Sequence, residues 1–237
     1  MKKILIFLFF VSLDSFSQEV ISELISNTSI TQNKRYVSEG KSILSIPFID
    51  DFSYLSTEAD SQLWQDNSVF INRNYGINPI TIGVATFDGL NRFGRPYNLN
   101  LTGTDSENAD TLTSQKIDLS DIDTAYFMFY YQPQGLGNSP QVTDSLILEF
   151  SSGIDTLGNV IWKTIWKKEG SSFYDFKKFV HVFTDADYLT DNFYFRFRNL
   201  ASVNGNFDHW NIDYVKLDEF NSSSDTSELN DVSFIRN

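Results

Sequence analysis

The run NFYFRFRN, residues 192–199, alternates without a break, with Phe193, Phe195 and Phe197 on one face and Tyr194, Arg196 and Arg198 on the other. A side-chain period of two belongs to a β-strand with one face against an apolar core. The same period returns in both directions along the chain. In DSLILEFSSG (144–153), Leu146, Leu148 and Phe150 oppose Ile147 and Glu149; in NVIWKTIWKKEG (159–170), Val160, Trp162, Thr164 and Trp166 oppose Ile161, Lys163, Ile165 and Lys167. TAYFMFYYQ (124–132) is apolar on both faces and reads as a central strand, while KKFVHVF (177–183) and HWNIDYVKL (209–217) continue the series. Gly135, Gly137, Gly153, Gly158, Gly170 and Gly205 supply turns between these runs. Strands at this spacing with no helical period between them predict an antiparallel sandwich or barrel. Phe127, Phe129, Leu146, Leu148, Phe193, Phe195 and Phe197 are its expected core.

Composition supports strands. Aromatic residues make up 16% of the 237 residues, and they fit pleated, half-buried surfaces. There is no cysteine, so the core must hold without disulfides, which a patterned region of this length can do. The net charge of −13 comes without a basic stripe, which argues against nucleic acid as a partner. The same sign favours solubility and leaves carboxylates for calcium.

Lys2 and Lys3 precede an apolar run from Ile4 to Leu13, and Ser15-Phe16-Ser17 places small residues before Gln18. This is the layout of a secretory signal peptide, with the mature chain expected to start at Gln18 and to lie outside the cell or on its surface. The run is too short for a bilayer span, and no later segment is long and apolar enough, so no membrane insertion of the mature chain is expected. Residues 18–44 read as a spacer, 45–220 as the folded domain, and 221–237 as a linker leading to a C-terminal continuation.

The order FIDDFS, LTSQKIDLSDI, AYFMFYY, LILEFSSG, WKTIWKKEG, KKFVHVFTDADYLTDNFYFRFRN and FDHWNIDYVKL resembles the MAM-like, choice-of-anchor J-type jelly rolls of exported Bacteroidota proteins. The resemblance covers roughly Ser45 to Leu217 and lies in the order of segments rather than in one motif. It implies an all-β, two-sheet antiparallel jelly-roll sandwich with an adhesive or carbohydrate-associated role. The expected function is a non-catalytic module that binds a glycan or a surface protein. The alternative is a structural spacer or accessory domain of a larger secreted enzyme.

Catalytic patterns are scarce. The chain has no thiol, no G-x-S-x-G turn, no zinc pattern and no phosphate-cradling glycine loop. His181, flanked by Val180 and Val182 in an alternating run, reads as structural. In related jelly rolls a calcium ion ties the first strand to the last, and the resemblance carries that expectation to Asp50 and Asp51 near the start of the domain and Asp208 and Asp213 near its end. Asp51 and Asp213 are the foremost pair. The rival reading is that Asp213 accepts hydrogen bonds at the sandwich edge. Asp105, Glu107 and Asp110 are read as solvated aspartates and a glutamate on a loop. Trp64, Trp162, Trp166 and Trp210 are read as core aromatics. Phe93, Arg95 and Tyr97, in the loop NRFGRPYN, are the candidate ligand contacts.

Overall fold

A computed structural model describes residues 43–101 and 105–227. The signal-peptide reading, nearly all of the 18–44 spacer and the last part of the linker lie outside the described residues. Ten strands form the domain: β1 (Phe48–Asp50), β2 (Phe70–Asn72), β3 (Val84–Phe87), β4 (Ser106–Thr113), β5 (Ala125–Pro133), β6 (Ser145–Ile154), β7 (Val160–Glu169), β8 (Lys177–Phe183), β9 (Phe195–Ser202) and β10 (Trp210–Glu219). One sheet runs β2-β3-β10-β5-β8, with β1 also on β10; the other runs β4-β9-β6-β7. Every strand pairing is antiparallel. The fold is the all-β, two-sheet jelly-roll sandwich that the alternation and the segment order predict.

The alternating phenylalanines meet between the sheets. Phe127, Phe129, Leu146, Leu148, Phe193, Phe195 and Phe197 are all fully buried. The Phe127 ring centroid lies 4.6 Å from that of Phe195, and Phe129 lies 4.8 Å from Phe197, both pairs edge to face. Such geometry follows from the ring quadrupole and adds about 0.5–1.5 kcal/mol per pair beyond area burial.

β5 is apolar on both faces because the outer face of its sheet is also covered. Tyr126, Met128 and Tyr214 form a second small cluster there, with Tyr130, Val180 and Phe220 against it. After β10 the chain makes a short 3-10 turn at Ser223–Thr226, and Lys178 Nζ donates to the Thr226 carbonyl at 2.7 Å. Further along the same face, the Gln132 amide exchanges two hydrogen bonds with the backbone of Ile77. The segment between β2 and β3 and the tail after β10 therefore cover much of this face.

Two expectations from the sequence change. Trp162 and Trp166 share a face by simple alternation, yet the β6–β7 register shifts between Leu148 and Glu149. The bulge adds one residue to β7 and turns the following side chains over. Trp166 goes inward, 4.7 Å from Tyr131 and 5.2 Å from Phe129, while Trp162 stays outside the core under the Arg196 guanidinium at 4.2 Å. Of Asp105, Glu107 and Asp110, expected on a loop, Glu107 and Asp110 lie in β4, and Asp110 is buried there.

The bulge makes a measurable prediction. Trp166→Ala is expected to cost about 3 kcal/mol in urea unfolding, and Trp162→Ala at most about 1 kcal/mol. Equal costs would contradict the placement of the two rings.

Candidate functional site

The ends of β3, β5, β7 and β9 and the starts of β4, β6, β8 and β10 fall at one end of the sandwich, as the registers require. The described residues of the loops joining them are 88–101 with 105, 134–144, 170–176 and 203–209. Beneath these loops lies a layer of aspartates that accept backbone N–H groups. Asp88 Oδ1 accepts from Leu90 at 2.6 Å, Asp144 Oδ2 from Gln141 at 2.6 Å, and Asp208 Oδ2 from Ser202 at 2.7 Å. Asp110, Asp144 and Asp208 are almost wholly buried. A buried carboxylate is tolerated only when donors or neutralisation replace its water, so the loop backbone is bound into the layer.

Asp110 does most to shape the largest loop. Its Oδ2 accepts the Asp88 N–H at 2.8 Å, and its Oδ1 accepts the Tyr97 hydroxyl at 2.7 Å. One carboxylate thus holds both ends of the segment 88–97. Inside it, Asn91 N–H donates to the Arg95 carbonyl, Gly94 N–H donates to Asn91, and Leu90 bridges Pro96. Gly94, at φ +69°, supplies the left-handed turn that ordinary residues avoid. The tip displays Arg92, Phe93 and Arg95, all exposed. Around it, Leu99 further along the same connection and Leu136, Val142, Phe173 and Phe207 on the other loops at this end are exposed.

Of the expected contact residues, Phe93 and Arg95 are at the tip, while Tyr97 shares its hydroxyl with Asp110. The expected metal residues do not meet at one point. Asp50 accepts the Trp64 indole N–H at 2.6 Å and the Phe52 N–H at 2.8 Å, facing the core. Asp208 sits in the aspartate layer at the start of β10, with the Asp144 carboxyl within hydrogen-bonding reach.

Asp51 and Asp213 are brought together, through Thr81. Asp213 Oδ2 accepts the Thr81 N–H at 2.8 Å; the Thr81 hydroxyl oxygen lies 2.6 Å from Asp213 Oδ1, 2.8 Å from the Asp51 carbonyl and 3.4 Å from the Gly83 carbonyl. Asp51 faces this niche with its main-chain carbonyl, while its carboxylate accepts from Ser53 N–H at 3.0 Å. Gly83 is required here, because a Cβ would lie 1.7 Å from the Phe52 carbonyl oxygen. A threonine hydroxyl has one hydrogen for three neighbouring oxygens. Asp213 also accepts a backbone hydrogen bond from Ile80, so three donors face its carboxylate. The donor set of carboxylate, hydroxyl and carbonyl oxygens is of the kind calcium takes.

Sequence reasoning missed Thr81, Asp88 and Asp144 and placed Asp110 on a loop. Asp88 and Asp144 each sit next to a strand end, with Leu90 and Gln141 two and three residues away, a local pattern that turn aspartates share. The histidines stay structural in environment. His181 stacks between Phe179 and Phe183, and burial lowers its pKa. Burial takes His209 down to about 4, and its Nδ1 accepts the Asn138 N–H at 2.9 Å. Trp64 and Trp210 are in the core.

Burial is the leading cause of raised pKa values in the acids. It pushes Asp50, Asp88 and Asp208 up to about 6 and Asp213 up to about 7. An acid with a native pKa above its unfolded value of ~3.9 holds its proton longer in the native state. Its contribution is complete below about pH 4 and is lost as pH rises through the native value. Without divalent cations, Tm is expected to fall by roughly 5 °C or more between pH 5 and pH 7.5. Asp213→Asn, which mimics the protonated acid, is expected to flatten part of that fall. A Tm that rises across this range would contradict it.

No protein-family model matches the chain, and no curated protein matches it. Among solved structures, it is similar in strand arrangement to the CBM22-1 xylan-binding domain of Paenibacillus barcinonensis Xyn10C, at 8% identity and a TM-score of 0.43, over 77% of this chain and 99% of that one. It is also similar to the K3 cleaved adhesin domain of Lys-gingipain from Porphyromonas gingivalis, at 12% identity and a TM-score of 0.36, over 58% and 75% of the two chains. A family 16 carbohydrate-binding module matches at 14% identity and a TM-score of 0.37, over 66% and 90%. At these scores the likenesses carry no argument about ligand or family.

Proposed function

We propose that this chain is a non-catalytic binding or adhesion module of a secreted or cell-surface bacterial protein, of the MAM-like jelly-roll type, contacting a glycan or protein ligand through its loop end. The observation that carries this reading is the Asp110 clamp. Binding through a loop costs the entropy of ordering it. Here one buried carboxylate already fixes both ends of 88–97, and the neighbouring loops at that end are tied to the aspartate layer while exposing large apolar side chains. Loops on a rigid scaffold are where binding residues concentrate.

Calcium is the proposed structural ion of the niche around Thr81, with the Asp213 carboxylate, the Thr81 hydroxyl and the Asp51 and Gly83 carbonyls as its protein ligands. It would join the chain just after β1 to β10. Support comes from the oxygen-rich niche with too few hydrogens.

Two experiments test these readings. Millimolar calcium at a hundred times its dissociation constant is expected to add about 2.7 kcal/mol to stability. The gain should vanish in Asp213→Asn and persist in Asp208→Asn. An unchanged Tm with calcium and with chelator would reject the ion. For the binding surface, glycan-array signals of the chain should drop in a Phe93→Ala, Leu99→Ala variant and survive Trp162→Ala. Signals lost only with Trp162→Ala would move the site to the outer face of the four-stranded sheet.

A further inference from the structure

The loop tip carries a charge opposite to that of the whole molecule. From Gly89 to Thr104 there is no acidic residue, in a chain of net charge −13, and Arg92 and Arg95 lie within this stretch. Both are exposed, and among the described residues neither forms an ion pair, unlike Arg196 and Arg198, which share Glu149 at 2.6 and 3.1 Å. The Arg92 guanidinium lies over the Phe93 ring at 5.0 Å from its centroid, and Phe93 is 52% exposed. Two guanidiniums and a ring edge therefore stand on a segment whose ends Asp110 fixes. Asp88 and Asp110, which flank the tip, are turned into the layer below, accepting from Leu90, from Asp88 N–H and from Tyr97, while the exposed Asp105 and Glu107 lie ten or more residues beyond Arg95, where β4 begins.

Resting on the binding reading above, we propose that this tip recognises a single acidic group, a carboxylate or sulfate, at the end of an oligosaccharide. The guanidinium fork matches the paired oxygens of such a group, and a charge-assisted pair of hydrogen bonds gives geometric selectivity. Phe93 offers an apolar face to the C–H side of the same or the next sugar. The tip's contact group is three side chains, Arg92, Phe93 and Arg95, against the roughly 20–30 residues a side of a standard protein interface. The global charge excludes a polyanion: beyond the ~8 Å screening length at physiological salt, little attraction to the tip remains, and successive acidic sugars would run onto an acidic body. An isolated terminal charge meets only the local cationic tip.

Paired oligosaccharides that differ by one terminal acid test this with the intact chain: sialyllactose against lactose, a glucuronic-acid-capped xylo-oligosaccharide against the uncapped one, and a singly sulfated lactose. By titration calorimetry, at least one acid-capped member is expected to bind at least about tenfold more tightly than its neutral counterpart. Which one prefers the tip separates carboxylate from sulfate. The preference should disappear in the Arg92→Ala, Arg95→Ala double variant, with Tm unchanged. Phe93→Ala should weaken capped and uncapped members alike. Equal affinity within every pair, no binding to any, or a preference that survives the double variant overturns the proposal. Neutral members that bind and are weakened by Phe93→Ala would overturn the acidic group while leaving the loop end as the binding surface. A poly-glutamate peptide bound through both arginines, with no glycan bound, would assign the tip to acidic protein instead.

Discussion

The architecture at the loop end rests on one constraint: a carboxylate removed from water must find donors, a proton or a cation. Asp110, Asp144, Asp208 and Asp213 are almost wholly buried, and each accepts backbone or hydroxyl hydrogens from a segment distant in the chain or across a turn. Hydrophobic burial between the sheets secures the sandwich and takes in a few loop side chains such as Tyr174, but it does not bind the loop backbone at this end. The aspartates do that, because a loop that detached would leave a buried charge unpaired. Stability and presentation of the loops are therefore coupled through the same side chains.

That coupling explains where a binding surface is available. The outer face of the six-stranded sheet is largely covered by Tyr75 to Thr81 and by Phe220 and the turn after it. The outer face of the four-stranded sheet is laced by Arg196, Glu149 and Arg198 over its central strands. The loop end is left with exposed apolar side chains and with Arg92 and Arg95, which form no ion pair among the described residues. An acidic chain that keeps two unpaired arginines at a clamped tip holds them where a small anionic ligand can reach them.

Much of the fold was legible in the sequence because period-two alternation is a local signal. Phe193, Phe195 and Phe197 lie on one face by spacing alone, and the structure buries all three. Trp162 was not legible in its final position, because the bulge in β7 that leaves it outside while Trp166 turns inward depends on the pairing with β6. The candidate site was legible only in part. Phe93 and Arg95 stood out through loop position, and Asp213 through its place on the closing strand. Asp144 meeting Asp208, Asp88 meeting Asp110, and Thr81 meeting Asp213 all depend on which strands are neighbours. Without that connectivity, aspartates beside turns look like solvated surface, and Asp110 looks like one more of them.

Amide hydrogen exchange tests the anchoring role most directly. In the native chain, the Asp88 and Asn91 amides should be protected, since the first donates to Asp110 and the second closes the tip. In Asp110→Ala, protection should be lost across 88–97 while the amides of β5 and β9 keep theirs. Fast exchange of 88–97 in the native chain, or unchanged protection in Asp110→Ala, would contradict the account.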